Sequence, residues 1–375
     1  MLFFLCDEIF SKSVPILVTV EPISSAIMKI ELADSRKAED WKKHWNCLKD
    51  NGYYAVYLVS DEGKGICTAH QQALADIIRQ SDTYHAIAHQ LGYWVKNFET
   101  AAYRAIKQEY DRYDKLDSAK SEPVINKKIG DYEQAQKITK EKIQIYEDYR
   151  YVYLCLIEEL SLFDDSGNLR DPKKAETHIT TGLDLLEAFE NSKLTKTVNK
   201  VRRTMPNLFH YFDRAQSIVN DLMALSCDQE ALRALCLAWQ YRKGVVKCKK
   251  TNARQYHSMM EQFYLELAEV YLHEDYDFIK IQVDMKLDQI VQSSSMVECI
   301  NSIIRPYLNN SKNQITQQTL NLIMYYHNHR RYIDGKRQGK TPMEILTGKK
   351  QDKDWIELIL DIVEEKNPSL FSFSR

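Results

Sequence analysis

Short apolar and β-branched runs alternate with polar turns through the first part of the chain. Runs at 2–7, 15–20 and 25–32 predict three strands, and the run YAVYLVS at 54–60 predicts a fourth. Between them Trp41, Trp45 and Leu48 recur at the spacing of one helix face, which predicts a helix over 36–49. A second helix is expected at about 66–79 and a short fifth strand at 83–88. The predicted order is therefore βββαβαβ.

Strand signals nearly disappear after residue 90, where apolar residues such as Trp94, Phe98, Ala101 and Ala105 recur at helical spacing. The order of the first elements is the opening of a ribonuclease-H-like α/β fold. We therefore expect four parts. They are a first part of the ribonuclease-H-like core at 1–90, an all-α insertion at 91–292, a second part of the core at 293–326, and a basic C-terminal segment at 327–375 that ends in a helix over 354–365. The insertion lies between the fifth strand and the helix that opens the second part.

Composition is that of a soluble globular protein, with 44% hydrophobic and 28% charged residues. Eight scattered cysteines contain no CxxC pair, which favours a reducing cytosol over a disulfide framework or a zinc ribbon. No apolar run approaches the ~20 residues of a membrane span. The opening MLFFLCDEIF lacks a basic region and a cleavage site, so it is interpreted as a strand rather than a signal peptide. A cytoplasmic protein without a membrane partner is expected.

Positive charge is concentrated in two blocks, although the net charge is −2. Residues 231–260 contain seven Lys/Arg and no acid, and residues 305–353 contain ten Lys/Arg against three acids. Such blocks can supply phosphate contacts with DNA. The expected DNA contacts in the first block are Lys247, Lys249 and Lys250; an ordinary solvated helix face is an equally good interpretation.

Two aspartates follow strands that are neighbours in a ribonuclease-H-like sheet. Asp7 ends the first strand and Asp61 ends the fourth. Phosphodiester cleavage by two metal ions needs about three carboxylates around cations ~3.5–4 Å apart. A single aspartate at a strand end is uninformative among 53 acidic residues. The pair on these two strands is more specific and predicts a metal site.

A third carboxylate, Glu298, lies near the start of the helix predicted for SSSMVECINSIIRPYL, after a serine N-cap region. Asn301 and Arg305 follow it at i+3 and i+7, on a common helix face. A carboxylate, an amide and a guanidinium on one face suit a metal site bordered by DNA phosphates. The alternative is a polar face on a surface helix.

Three segments resemble insertion-sequence transposases of the DDE type. DEIFSKSVPILVTVEPISSAI resembles their first-aspartate region, and VYLVSDEGKGI followed by DTYHAIAHQ resembles their second-aspartate region. SSSMVECINSIIRPYL and then YYHNHRRYIDGKRQGKTPMEILTG resemble their glutamate helix and basic tail. The resemblance covers roughly residues 1–90 and 290–350. No sequence motif is recognised in the insertion.

This resemblance implies a ribonuclease-H-like catalytic domain that cleaves and joins DNA with two Mg²⁺ or Mn²⁺ ions. Asp7, Asp61 and Glu298 take its three catalytic, metal-binding positions, and Arg305 takes the basic position that contacts transposon-end DNA. Further expected DNA contacts are Asn301 on the glutamate helix and Arg330, Arg331, Lys336 and Arg337 in the basic tail. The implied partners are transposon ends, target DNA and further copies of the chain, with the protein at the nucleoid.

Family members usually carry a DNA-binding region ahead of the first aspartate, and Asp7 lies too near Met1 for one. We therefore expect the chain to lack that region. Two alternatives stay open, an inactive remnant that only binds DNA or a protein, and a ribonuclease-H-like nuclease without strand transfer. No GxxxxGK[ST], GxGxxG or GxSxG motif is present.

Other constellations are less specific. Asp82 and His85 could approach the metals, but a structural Asp–His hydrogen bond is the better interpretation. Trp239 and Tyr241, beside the basic run, could stack on an unpaired base. Core packing is the commoner role of such rings.

Overall fold

The two ends of the chain fold together, and the middle of the chain folds separately. The computed structural model describes residues 2–225, 228–248, 250–312 and 314–366. One unit consists of Met1–Asp82 and Asp288–Arg375, and the other of Thr83–Leu287. The predicted boundaries at 90/91 and 292/293 lie within ten residues of these unit boundaries.

A five-stranded mixed sheet forms the centre of the first unit. Its strands are β1 Leu2–Ser11, β2 Val14–Val20, β3 Ile27–Leu32, β4 Ala55–Ser60 and β5 Ile78–Ser81. The spatial order is β3-β2-β1-β4-β5. The pairs β1–β2 and β2–β3 are antiparallel, whereas β1–β4 and β4–β5 are parallel. The first strand is therefore central and adjacent to the fourth.

The prediction of a fifth strand at 83–88 is wrong. Tyr84–His89 is a π-helical turn, and the fifth strand is Ile78–Ser81, which begins within the last two residues of the segment predicted to be the second helix. The strand is short and carries Arg79, Gln80 and Ser81, which are buried despite being polar. Because its side chains are held by hydrogen bonds rather than by apolar contacts, the usual hydrophobic signal of a strand is missing.

Helices make up most of the rest of the chain. In the described residues they are α1 Ala38–Asp50, α2 Lys64–Ala73, α3 Gln90–Asp117, α4 Glu122–Glu158, α5 Pro172–Glu187, α6 Ser192–Thr204, α7 His210–Met223, α8 Gln229–Lys247, α9 Thr251–Leu272, α10 Tyr276–Leu287, α11 Ser295–Asn310, α12 Gln317–His329, α13 Pro342–Thr347 and α14 Trp355–Lys366. Helices α3 to α10 belong to the second unit, which contains no strand in its described residues. Short 3₁₀ turns lie at Met205–Asn207, His273–Asp275 and Gly335–Arg337.

Strand alternation gives the sheet two apolar faces. On one face Phe3, Leu5 and Ile9 of β1 join a buried cluster with α11 and α12. On the other, Phe4 and Cys6 join a cluster with α1 and α2. Successive residues of a strand point to opposite faces. Asp7 therefore lies on the face covered by α11.

Two amides on α12 hydrogen-bond the outer edge of β3. The side chain of Asn328 accepts from the backbone N–H of Ile27 and donates to its carbonyl, at 2.8 and 2.9 Å. Gln317 accepts from the N–H of Leu32 and donates to the carbonyl of Ile30, at 2.8 and 2.9 Å. An open strand edge would offer unpaired backbone groups to another chain. Here α12 covers that edge.

The second unit is built from amphipathic helices around a core cluster that includes Leu91, Tyr149, Leu183 and Val198, each with 0% of its surface exposed. Tyr149 donates a hydrogen bond from its hydroxyl to the carbonyl of Leu91, joining α4 to α3 at 3.0 Å. Among the described helices, none combines the length and the apolar character that crossing a bilayer requires.

Acid is expected to destabilise the first unit through His44. Its side chain is fully buried and hydrogen-bonds Thr19 and Glu31, at 2.9 Å each. Burial lowers the pKa of His44, and this outweighs the hydrogen bond to the Glu31 carboxylate, which raises it. Below the usual pKa of about 6.5 the unfolded chain thus binds more protons than the folded one. We expect the free energy of unfolding to fall as the pH drops from 7.5 to 5.5.

Urea titrations followed by the fluorescence of Trp41 and Trp45 on the same helix would measure this effect. The variant His44→Gln should show a smaller loss between the two pH values, whereas the exposed-site control His89→Gln should behave like the wild type. An equal loss in His44→Gln would contradict the assignment.

Candidate active site

Asp7 and Asp61 lie next to each other on two adjacent parallel strands. Asp61 directly follows β4 as predicted, whereas Asp7 lies inside β1 Leu2–Ser11 rather than at its end, because β1 continues past Asp7 in its pairing with β2. The last paired residues of β1 and β4 are Cys6 and Ser60, and the two aspartates come next on their strands. Neighbouring strands lie ~4.7–4.9 Å apart. An oxygen of Asp61 also accepts a hydrogen bond from the N–H of Gly63 at 2.9 Å. The turn after β4 thereby fixes the orientation of this carboxylate.

Asn301 on α11 contacts the first aspartate directly. Its amide Nδ2 donates to Oδ2 of Asp7 at 2.8 Å, across 294 positions of sequence. The Asn301 side chain is 2% exposed, so the predicted contact of this residue with DNA is not supported in this conformation. Its Oδ1 is buried and accepts no hydrogen bond from the described residues. The amide faces the sheet rather than solvent, whereas Glu298 and Arg305 on the same helix are exposed.

Glu298 lies in the first turn of α11 and is exposed, one turn before Asn301. Residues three apart on a helix lie on the same side, so Glu298 lies beside the residue that contacts Asp7. Arg305 is exposed further along the helix. Within the described residues, no group of three or more His, Cys, Asp or Glu side chains is arranged to hold a metal ion. The convergence of Asp7, Asp61 and Glu298 on shared metals stays a prediction.

Each of these two aspartates is followed by a glutamate paired with an arginine. Glu8 accepts from Arg36 at 3.2 Å, and Glu62 accepts from Arg79 at 3.0 Å. Burial raises the pKa of Glu8, the hydrogen bond from Arg36 lowers it, and the nearby charge of Asp61 raises it further. On balance the pKa of Glu8 is raised above its usual value. Negative charge is thus crowded where the pairing of β1 with β4 ends, and a bound cation would relieve the repulsion.

Asp82 contacts the start of the helix that carries Glu298. It lies directly after β5, is 2% exposed, and accepts from the backbone N–H of Ser294 at 2.6 Å and from the Ser294 hydroxyl. Ser294 is the N-cap of α11. The sequence indicated His85 or a metal as the partner of Asp82, and the contact with Ser294 was not predicted. The polar run Arg79, Gln80 and Ser81 directly before Asp82 was the one sequence feature that could have indicated a structural role here.

Most of the basic tail makes intramolecular contacts. Arg330 donates to the hydroxyl of Tyr326, and Lys336 pairs with Asp288 at 2.9 Å. Arg331 pairs with Glu344 at 2.8 Å, and Arg337 donates to backbone carbonyls of the β2–β3 turn. These four residues therefore help to hold the tail in place. Their contact with DNA stays a prediction.

The basic block at 231–260 is partly neutralised within the second unit. Arg233 pairs with Glu230 at 2.6 Å, and Arg242 pairs with Asp284 at 2.5 Å. Lys243 lies over the ring of Trp239, 3.7 Å from its centroid. Lys250 is exposed, Lys247 ends α8, and Lys249 lies outside the described residues. Less positive charge is available to DNA here than the sequence indicated.

The aromatic residues of this block pack inside the second unit. Trp239 is 2% exposed, which agrees with core packing rather than with stacking on an unpaired base. Tyr241 stacks on Tyr264 of α9, with the ring centroids 5.7 Å apart.

Comparison with known proteins bears on the part of the chain that contains both aspartates. No curated protein matches the sequence. The family model described as Transposase, Mutator family, matches residues 7–150, which begin at Asp7 and include Asp61. The match covers the sheet residues from Asp7 onward and the first helices of the second unit. This part of the chain is similar to transposases of the Mutator family, and the similarity supports a transposase.

Proposed function

We propose that this chain is a DDE-type DNA transposase whose first unit is a ribonuclease-H-like catalytic core. The single observation that carries the proposal is the hydrogen bond from Asn301 to Asp7, because it brings the helix of Glu298 to the place where the pairing of β1 with β4 ends and Asp61 follows. The strand arrangement supports the fold, since β1 is central and parallel to its neighbour β4. The helical second unit is then the insertion between β5 and the glutamate helix.

The side chains around Asp7 and Asp61 fit hard divalent cations such as Mg²⁺ or Mn²⁺, which prefer oxygen ligands. Asp7, Asp61 and Glu298 offer carboxylate oxygens, and Asn301 adds a buried amide oxygen without a hydrogen-bond donor among the described residues. Two bound ions would supply an activated water or 3′-hydroxyl and stabilise the leaving oxygen.

The chain's own residues would bind and orient the reacting groups. Asp7 and Asp61 provide the negative charge that attracts the cations, and Asn301 fixes the rotamer of Asp7. Exposed Arg305 on the same helix offers a guanidinium for a DNA phosphate, a pairing that is geometrically favourable. Because a transposon has two ends, we propose that the active complex contains at least two copies of the chain.

The decisive experiment uses the purified chain, DNA fragments carrying the ends that flank its gene, and a plasmid target. Cleavage that requires Mg²⁺ or Mn²⁺, followed by joining of the cleaved end to the plasmid, would support the proposal. Cleavage without joining would favour a nuclease, and binding without cleavage an inactive remnant.

We expect the variant with Lys247, Lys249 and Lys250 all replaced by alanine to bind DNA more weakly and with a flatter salt dependence. Each lost phosphate contact should reduce the log–log salt slope by about 0.7–0.9. Salt titrations of both proteins on one DNA fragment would measure the slopes. Metal binding should not change. Equal affinities and slopes would show that these lysines form an ordinary solvated surface.

A further inference from the structure

Strand β5 contacts the turn that carries Asp61. Arg79 donates to both carboxylate oxygens of Glu62, at 3.0 and 3.2 Å, and to the backbone carbonyl of Asp61 at 3.4 Å. Ser81 donates its hydroxyl to Glu62 as well. The side chain of Arg79 is 7% exposed, so this bidentate pair is largely shielded from water. Arg79 and Ser81 of β5 thus bind the turn formed by Asp61 and Glu62, the two residues that follow β4.

Asp82, the residue after β5, contacts the start of the helix that carries Glu298. One oxygen of Asp82 accepts both the backbone N–H and the hydroxyl of Ser294, at the N-terminus of α11. Asp82 and Ser294 are 2% and 3% exposed. A carboxylate in this place satisfies a free N–H group and interacts favourably with the positive end of the helix dipole. Glu298 lies in the turn that this contact holds.

We propose that β5 and Asp82 position the metal-binding carboxylates: Arg79 and Ser81 fix Asp61 through Glu62, and Asp82 fixes Glu298 through Ser294. This inference rests on the proposed function, because it assigns these residues a role toward the same site. Arg79, Ser81 and Asp82 are positioning residues and touch no reacting atom.

The geometry explains why these residue types are needed. A guanidinium binds a carboxylate with two parallel hydrogen bonds and has further N–H groups, here used for the Asp61 carbonyl. A lysine offers a single charged point and cannot hold Glu62 and Asp61 in the same way. The contact between Asp82 and Ser294 joins residues 212 positions apart, so it fixes the start of α11 relative to the sheet.

The test compares Ser294→Ala, Asp82→Ala, Asp82→Asn and Arg79→Lys with two matched controls. Ser295→Ala changes the exposed neighbour on the same helix, and Asp76→Asn changes an exposed acid just before β5. Hydrogen exchange would report the first turn of α11 and the turn at residues 61–63. Calorimetry would report Mg²⁺ binding without DNA, and cleavage assays would separate the Mg²⁺ requirement from the KM for DNA.

We expect Ser294→Ala and Asp82→Ala to speed exchange at the start of α11 and to weaken Mg²⁺ binding by about 10–100-fold, as loss of an outer partner of a metal ligand does. Arg79→Lys should speed exchange at residues 61–63 instead. Asp82→Asn should restore part of the affinity, because its amide oxygen still accepts from Ser294. The KM for DNA should stay unchanged, and both controls should match the wild type.

Wild-type exchange and Mg²⁺ affinity in Ser294→Ala and Arg79→Lys would overturn this inference and leave the proposed function standing. A wild-type chain that binds no Mg²⁺ would instead overturn the proposed function. A folded variant whose KM for DNA rises while its Mg²⁺ affinity is normal would also count against positioning of the metal ligands.

Discussion

Asp61→Asn is expected to abolish metal-dependent DNA cleavage while leaving the fold intact. The amide is nearly isosteric with the carboxylate and can still accept the hydrogen bond from Gly63 that orients the side chain. It lacks the negative charge that holds a hard divalent cation. Because Asp61 would bind the metal directly, the loss should exceed the ~10–100-fold effect of losing an outer partner. Cleavage of labelled DNA by the purified wild-type and Asp61→Asn proteins, at equal Mg²⁺ concentrations, measures this loss.

The matched control is Asp50→Asn, which changes an exposed aspartate at the end of α1. It makes the same chemical change ahead of the first residue of β4, whereas Asp61 follows the last, and should retain wild-type cleavage. Circular dichroism of all three proteins should coincide. Full cleavage by a folded Asp61→Asn protein would remove Asp61 from the metal site.

Asn301→Asp is expected to lower both stability and cleavage. The change removes the N–H that Asp7 accepts and places a second carboxylate against it, at a site that is 2% exposed. A buried charge without a partner costs about 3–5 kcal/mol. Repulsion and burial raise the pKa of the new carboxyl in the folded state, so the penalty is largest at neutral pH. It shrinks as the pH falls and the carboxyl becomes protonated.

Urea denaturation at pH 7.5 and pH 5 measures this penalty. Asn310→Asp adds the same charge at the exposed end of the same helix, where it should cost no more than ~1 kcal/mol through the helix dipole. A stable Asn301→Asp protein with normal cleavage would show that the contact with Asp7 is dispensable.

Sequence reasoning located the first four strands because each is an apolar run bounded by turn residues. Observed β4 Ala55–Ser60 lies within the predicted 54–60, and observed α1 Ala38–Asp50 differs by two residues or fewer from the predicted 36–49. The hydrophobic pattern did not predict β5, because Arg79 and Ser81 stand where apolar residues would be expected and bind Glu62 instead. A pattern of hydrophobicity cannot detect a strand that is stabilised by polar contacts.

The candidate site was predictable as a set of residue types and not as a set of contacts. Asp7 and Asp61 could be paired because each directly follows a run that reads as a strand. The bonds of Asn301 to Asp7 and of Asp82 to Ser294 join residues 294 and 212 positions apart. Local spacing carries no information about such partners. For the same reason the hydrogen bonds of the Arg337 guanidinium to the carbonyls of Pro22 and Ile23 were not predicted.

The covering of β3 by α12 has a consequence for synthesis on the ribosome. Ile27 is translated 301 residues before Asn328, the side chain that hydrogen-bonds its backbone. At about 5–20 residues per second, the strand edge stays uncovered for ~15–60 s after it emerges. Throughout that time the nascent chain presents an apolar strand with free N–H and C=O groups, which other nascent chains can pair with. Chaperone demand should therefore be highest before Asn328 emerges, and a ribosome stalled within the second unit would hold the chain with this strand edge uncovered.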